Sequence, residues 1–207
     1  MQLMKTIEWC PDQTRSLVPG WIVMIDQTRL PGDVTHVRTR DVETVWQAIK
    51  TLQVRGAPAI GIAAAMGVAT AVQGLPEAST DLLVAAALKA ADYLATSRPT
   101  AVNLFWALDR MRRVIRQAAD LPPADFKERL AREAMTIRDE DAAMCRSIGL
   151  HGATLLKDGD TVLTHCNAGG LAASEYGTAL APIYVATEQN KTIRVYSDET
   201  RPLLQGS

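Results

Sequence analysis

From Ala57 to Val72 the chain carries no charged side chain, and most of the stretch is Ala, Gly, Ile, Met or Val. A run of this length falls short of the ~20 apolar residues that cross a bilayer, and its Ala and Gly content weakens it further. A helix apolar all round must instead lie inside a protein, covered on every side. Pro58 suits the first turn of that helix, where its missing N–H would have no partner anyway. Gly61, Ala65, Gly67 and Ala71 give it small faces against which neighbouring helices can pack closely. The rest of the chain must therefore supply a surround for one buried central helix.

The segments on either side can do this. The first forty residues read as short strands: Trp21–Ile25 and Thr35–Thr39 flank the turn signal Leu30-Pro31-Gly32-Asp33. Asp41 is placed to cap a helix through Val42, Val45, Trp46 and Ile49. After the central run come three amphipathic helices, one over Thr80–Thr96 and one carrying Leu104, Leu108, Met111, Ile115 and Ala118. The third follows Pro122-Pro123 and presents Phe126, Leu130, Ala134, Ile137, Met144 and Ile148. Asp141 falls on that apolar stripe, and an arginine from a neighbouring helix is its expected partner.

The pattern changes at Lys157-Asp-Gly-Asp160. Thr161–His165 reads as a strand running into Cys166-Asn-Ala-Gly-Gly170, then a small-residue helix to about Thr187, then a strand over Ile193–Tyr196. Strand, glycine-rich loop, helix and strand make one βαβ unit, the start of a parallel sheet. The expected fold class is α/β, with a mainly helical domain bearing a small sheet at 1–157 and the first part of a Rossmann-like domain at 158–207. One βαβ unit leaves both strand edges uncovered, so the second domain reads as incomplete and prone to self-association.

Composition excludes several partners. With 22 Lys and Arg against 23 Asp and Glu, the net charge of −1 offers no electrostatic footprint for nucleic acid or an anionic membrane. Cys10, Cys145 and Cys166 are widely spaced and odd in number, and Met1 to Cys10 has no apolar signal core. A reducing cytoplasm is the compartment this implies. His36, His151 and His165 show no ligand spacing with the cysteines or acids, so no metal site is expected.

Four places combine a loop or helix start with residues that could carry chemistry. His165-Cys166-Asn167-Ala168-Gly169-Gly170 lies at the carboxyl end of a parallel strand, where α/β sheets bind ligands. Its glycines would let backbone N–H groups and a helix N-terminus approach an anion, and that field would make the Cys166 thiol more reactive. The same residues serve equally as a tight turn with a buried cysteine. Arg55-Gly56-Ala57-Pro58 is a second helix start fronted by an arginine, suited to phosphate or simply a surface arginine. Arg98, held extended before Pro99, repeats that arrangement or marks a plain interhelical turn. Gln205 could bond a sugar hydroxyl or face solvent. Asp198-Glu199 makes a poor acid/base pair, because neighbours in a strand point to opposite sides.

Several blocks, in order, resemble the S-methyl-5-thioribose-1-phosphate isomerase family. They are Arg55-Gly-Ala-Pro-Ala-Ile-Gly61, Arg98-Pro-Thr-Ala-Val-Asn-Leu104, Ile148-Gly-Leu-His-Gly-Ala153, Thr164-His-Cys-Asn-Ala-Gly169, Tyr176-Gly-Thr-Ala-Leu180 and Asp198-Glu-Thr-Arg-Pro-Leu-Leu-Gln-Gly206. The wider family also holds ribose-1,5-bisphosphate isomerases and the initiation-factor 2B regulatory subunits. The resemblance implies a helical domain joined to a Rossmann-like one, as homodimers, converting an aldose 1-phosphate to the ketose in methionine salvage without metal or organic cofactor. It implies substrate binding by Arg55, Gly56, Ala57, Arg98 and Gln205, and transition-state stabilisation by Cys166. The family's catalytic aspartate, in an Asp-Asn motif further downstream, has no counterpart here. The expectation is a truncated isomerase with little activity alone; a bisphosphate isomerase or a non-catalytic sugar-phosphate-binding module are the alternatives.

Overall fold

The computed structural model describes residues 5–77 and 79–201. Two compact units divide the chain: Ile7–Arg138, and Asp139–Ser207 with Met1–Thr6. The boundary falls within one long helix, so each unit contains part of it.

The first unit opens with an antiparallel sheet of β1 (Ile7–Pro11), β2 (Gly20–Ile25) and β3 (His36–Thr39), in that order. Ile7 pairs with Met24 and Trp9 with Ile22, and all four are buried, so alternation gives the sheet one apolar face. Then follows α1 (Val42–Lys50), whose start is capped as its sequence predicts: the Asp41 carboxylate accepts the Thr44 N–H at 2.8 Å.

Next is α2 (Ala57–Gln73), the uncharged run, with Ile60, Ile62, Met66 and Val68 all inside the core. Around it stand α3 (Thr80–Ala95), α4 (Val102–Gln117) and the first part of α5 (Pro123–Ala153). The sequence predicts all of these. A Cβ added at Gly61 would stand 2.8 Å from the Asn103 carbonyl oxygen, so α2 and α4 touch backbone to backbone at their first turns. Glu133 of α5, nearly buried, takes Arg110 at 2.6 Å and Arg129 at 2.6 Å.

The second unit holds the last turns of α5, then β4 (Thr161–His165), α6 (Ala181–Glu188) and β5 (Arg194–Asp198). β4 and β5 pair in parallel, with Thr164 opposite Ser197 and His165 opposite Asp198. This is the βαβ unit expected, and the α/β class holds. Leu163 and Tyr196, paired across the two strands, are each 69% exposed, so the face of the sheet that carries them is open. An added Cβ at Gly152 would stand 2.4 Å from Pro182 Cγ, which is how closely α5 and α6 pack.

Two expectations are corrected. The helix does not follow the glycine loop directly: Gly170–Ala172 is a single 3₁₀ turn, and α6 begins only at Ala181. Asp141 is not paired with an arginine; its carboxylate accepts the backbone N–H of Ser174 at 2.8 Å. No helix among the described residues is long and apolar enough to cross a membrane.

Candidate functional site

In the second unit, β4 ends at His165 and the chain turns sharply. Cys166 has φ +66°, the left-handed region that a residue with a Cβ enters at a cost of about 1–3 kcal/mol. Strain of this kind persists where the surroundings fix the backbone. Here they do: Thr178 N–H and Leu180 N–H both donate to the Ala168 carbonyl, at 3.1 and 3.3 Å, and Gly169 bridges to Gly177. Gly177 has φ +80°, and an added Cβ there would fall 2.2 Å from the Gly169 carbonyl carbon. No other residue type fits.

The turn aims the Cys166 side chain outward, so the buried-cysteine alternative is excluded. A cleft of about 120 Å³ opens beside it, lined by Thr164, Asn167, Gly169, Gly170, Tyr184 and Ser197 among others. Complete small-molecule sites span roughly 300–1,000 Å³, so this cleft has room for only one end of a ligand of that size. It lies at the carboxyl ends of β4 and β5, as predicted for a parallel sheet. The anion-binding helix start is not there. The N–H groups of Ala181, Ile183 and Tyr184 are taken by Thr178 and Leu180 carbonyls, and Pro182 has none. Asn167, Tyr184 and Ser197 are cleft residues that sequence reasoning did not single out. Asn167 stood inside the quoted motif; Tyr184 and Ser197 carried no local signal.

Cys145 is the contrasting thiol. It is fully buried, and its pKa is pushed up to about 11 by burial and by the charges of Asp141 and Glu175. Cys166 is the exposed one.

In the first unit, Arg55, Gly56 and Ala57 stand at the start of α2. Gly56 caps it with φ 108° and ψ 133°, a conformation open to glycine alone. Arg98 precedes the start of α4 and is partly exposed. The Gly61–Asn103 contact joins the first turns of these helices, which brings Arg55 and Arg98 to the same end of the pair. Two arginines at two helix N-termini suit an anion such as phosphate. Cys166 belongs to the other unit, and Gln205 lies outside the described residues. Among the described residues, no cluster of His, Cys, Asp and Glu could hold a metal.

Residues 53–207, three quarters of the chain, match the initiation factor 2 subunit family. The chain belongs to that family. Within it, a 5-deoxyribose 1-phosphate isomerase of Moorella thermoacetica is 57% identical over 188 residues, covering 91% of this chain and 54% of that protein. A methylthioribose-1-phosphate isomerase of Rhodopirellula baltica is 53% identical over 190 residues, again 91% of this chain and 53% of its relative. Among solved family structures, the 5-methylthioribose 1-phosphate isomerase of Pyrococcus horikoshii OT3 superposes with a TM-score of 0.89 at 36% identity, over 100% of this chain and 55% of its own. The translation initiation factor eIF-2B subunit delta of A. fulgidus gives 0.87 at 44% identity, covering 99% and 57%. The chain thus spans about half the length of the relatives it matches.

Proposed function

We propose that this chain provides the helical domain and the cysteine loop of an aldose–ketose isomerase that converts 5-methylthioribose 1-phosphate to 5-methylthioribulose 1-phosphate. The observation that carries this reading is the strained, exposed Cys166 at the mouth of a parallel-strand cleft, in a family whose similar members are named as sugar-phosphate isomerases.

Phosphate on C1 locks the sugar ring. Conversion must break the C1–O4 bond with a proton to O4, move hydrogen from C2 to C1, and release the O2 proton as C2 becomes a carbonyl. Arg55 and Arg98, at two helix N-termini, hold the phosphate dianion, and Gly56 and Ala57 let the backbone approach it. Gln205 bonds a sugar hydroxyl. Cys166 stabilises the charge that develops at the reacting carbons. The hydrogen passes as a hydride in a dry pocket, or as a proton through an enediol where a base is placed. The setting proposed is the cytoplasm, and the assembly a homodimer.

Proton NMR of 5-methylthioribose 1-phosphate with the purified chain tests this directly. Loss of the anomeric C1 signal as ketose signals grow establishes turnover. Broadened ligand signals without conversion establish the binding half of the reading, and an unchanged spectrum overturns it. 5-Deoxyribose 1-phosphate in the same tube ranks the two C5 substituents, since the Moorella thermoacetica relative is named for that sugar.

A further inference from the structure

Beside Arg55 lies a polar side chain that the reading above leaves without a task. Gln27 follows β2 and is only 1% exposed. Its backbone N–H donates to the Gln53 carbonyl at 3.0 Å, and its side-chain Nε2 donates to the Arg55 carbonyl at 3.4 Å. One residue thus grips the chain on both sides of Val54, immediately before the left-handed Gly56 that starts α2. Val54 is itself held, its N–H donating to the Ala48 carbonyl at 3.0 Å.

The grip is rigid because its base is rigid. The Asp26 N–H donates to the Thr35 carbonyl at 2.9 Å, and the Asp26 carboxylate accepts both the Thr28 N–H at 3.0 Å and its hydroxyl at 2.6 Å. These bonds fix the turn from which Gln27 reaches. A flexible arginine binds an anion well only when little freedom is lost on binding, so the placement of its backbone is part of its affinity.

We propose that Gln27 is a positioning residue for substrate binding: by holding the Arg55 carbonyl it fixes the backbone from which the Arg55 guanidinium reaches the phosphate. This rests on the assignment of Arg55 to substrate. Gln27 touches no substrate in this scheme and acts only through Arg55.

Gln27→Met keeps the volume and the buried stem while deleting the donor. The test is a double-mutant cycle on the affinity of the chain for 5-methylthioribose 1-phosphate, measured by titration for wild type, Q27M, R55A and the double variant. Q27M is expected to weaken binding about tenfold, the worth of one buried hydrogen bond, and to add nothing once Arg55 is gone. The Gly56 amide resonance should move in Q27M. Should R55A weaken binding while Q27M does not, or should the two effects add, Gln27 only supports the fold and the inference is overturned. Wild-type affinity in R55A would instead overturn the assignment of Arg55, and this inference with it. A merely structural Gln27 would lower the melting temperature and leave the affinity of the folded protein unchanged.

Discussion

The carboxylate of Asp141, on α5, holds the backbone N–H of Ser174 at 2.8 Å, and both residues are buried. On its other side the Ser174 carbonyl accepts the Thr6 N–H at 3.1 Å, while the Thr6 hydroxyl donates to Gly170 at 2.6 Å. Asp141 therefore anchors the far side of the loop that carries Cys166. Asp141→Ala leaves a buried N–H without an acceptor and should cost about 1–3 kcal/mol in urea unfolding. Asp141→Asn retains an oxygen and should cost less. Equal losses for the two variants would show that the charge, rather than the hydrogen bond, matters there.

The two contrasting thiols predict a chemical outcome. Near neutral pH, brief treatment of the native protein with iodoacetamide should modify Cys166 and spare Cys145, which is buried and whose pKa is pushed up to about 11. Peptide mass spectrometry before and after denaturation reads both sites. Labelling of Cys145 in the folded protein would contradict its burial.

Backbone strain at Cys166 has a measurable signature. A glycine introduced into regular structure usually costs about 0.5–1 kcal/mol, but at φ +66° it also relieves a steric penalty. Cys166→Gly should leave stability within about 0.5 kcal/mol of wild type, and it should abolish any turnover. Gly56→Ala runs the other way. At φ 108° it forces an alanine into glycine territory, with an expected loss of about 1–3 kcal/mol and weakened phosphate binding.

Acid should loosen the first unit at one identifiable point. Burial pushes the Glu133 pKa up, but Arg129 and Arg110 outweigh it and hold the carboxyl below its ordinary 4.5. A depressed folded-state pKa means stability that is fully present above 4.5 and is lost as pH falls below it. Glu188, held low by Arg146 and then by Tyr176, has the same sign in the second unit. Glu133→Gln should destabilise the protein at neutral pH by about 1–3 kcal/mol and flatten its acid unfolding curve. An unchanged curve would remove Glu133 from the account.

Elements with strong periodicity were legible in the sequence. The bounds of β4 were read without error, and the Asp41 cap, the buried α2 and the three helices after it stand where their patterns put them. The loop after Cys166 was not legible. Ala, Gly and Ser from Ala168 to Thr178 suit a helix as well as a loop, and the choice is made by the Gly169–Gly177 bridge, a contact no local pattern shows. Asp141 misled for the same reason: its partner is a backbone amide supplied by that loop. Of the candidate site residues, Arg55 and Cys166 stand out by their motifs. Gln27 escaped because its proposed role rests on hydrogen bonds to Gln53 and Arg55 that sequence spacing does not show.

The fit of Gly177 against the Gly169 backbone bears on how this loop tolerates mutation. Any side chain at 177 displaces the main chain at Gly169, one residue before the 3₁₀ turn and three after Cys166. In a saturation library selected for activity, position 177 should be as depleted as position 166, although glycine there performs no chemistry. Intolerance to substitution would then mark two sites, and only one of them would be a reactive group.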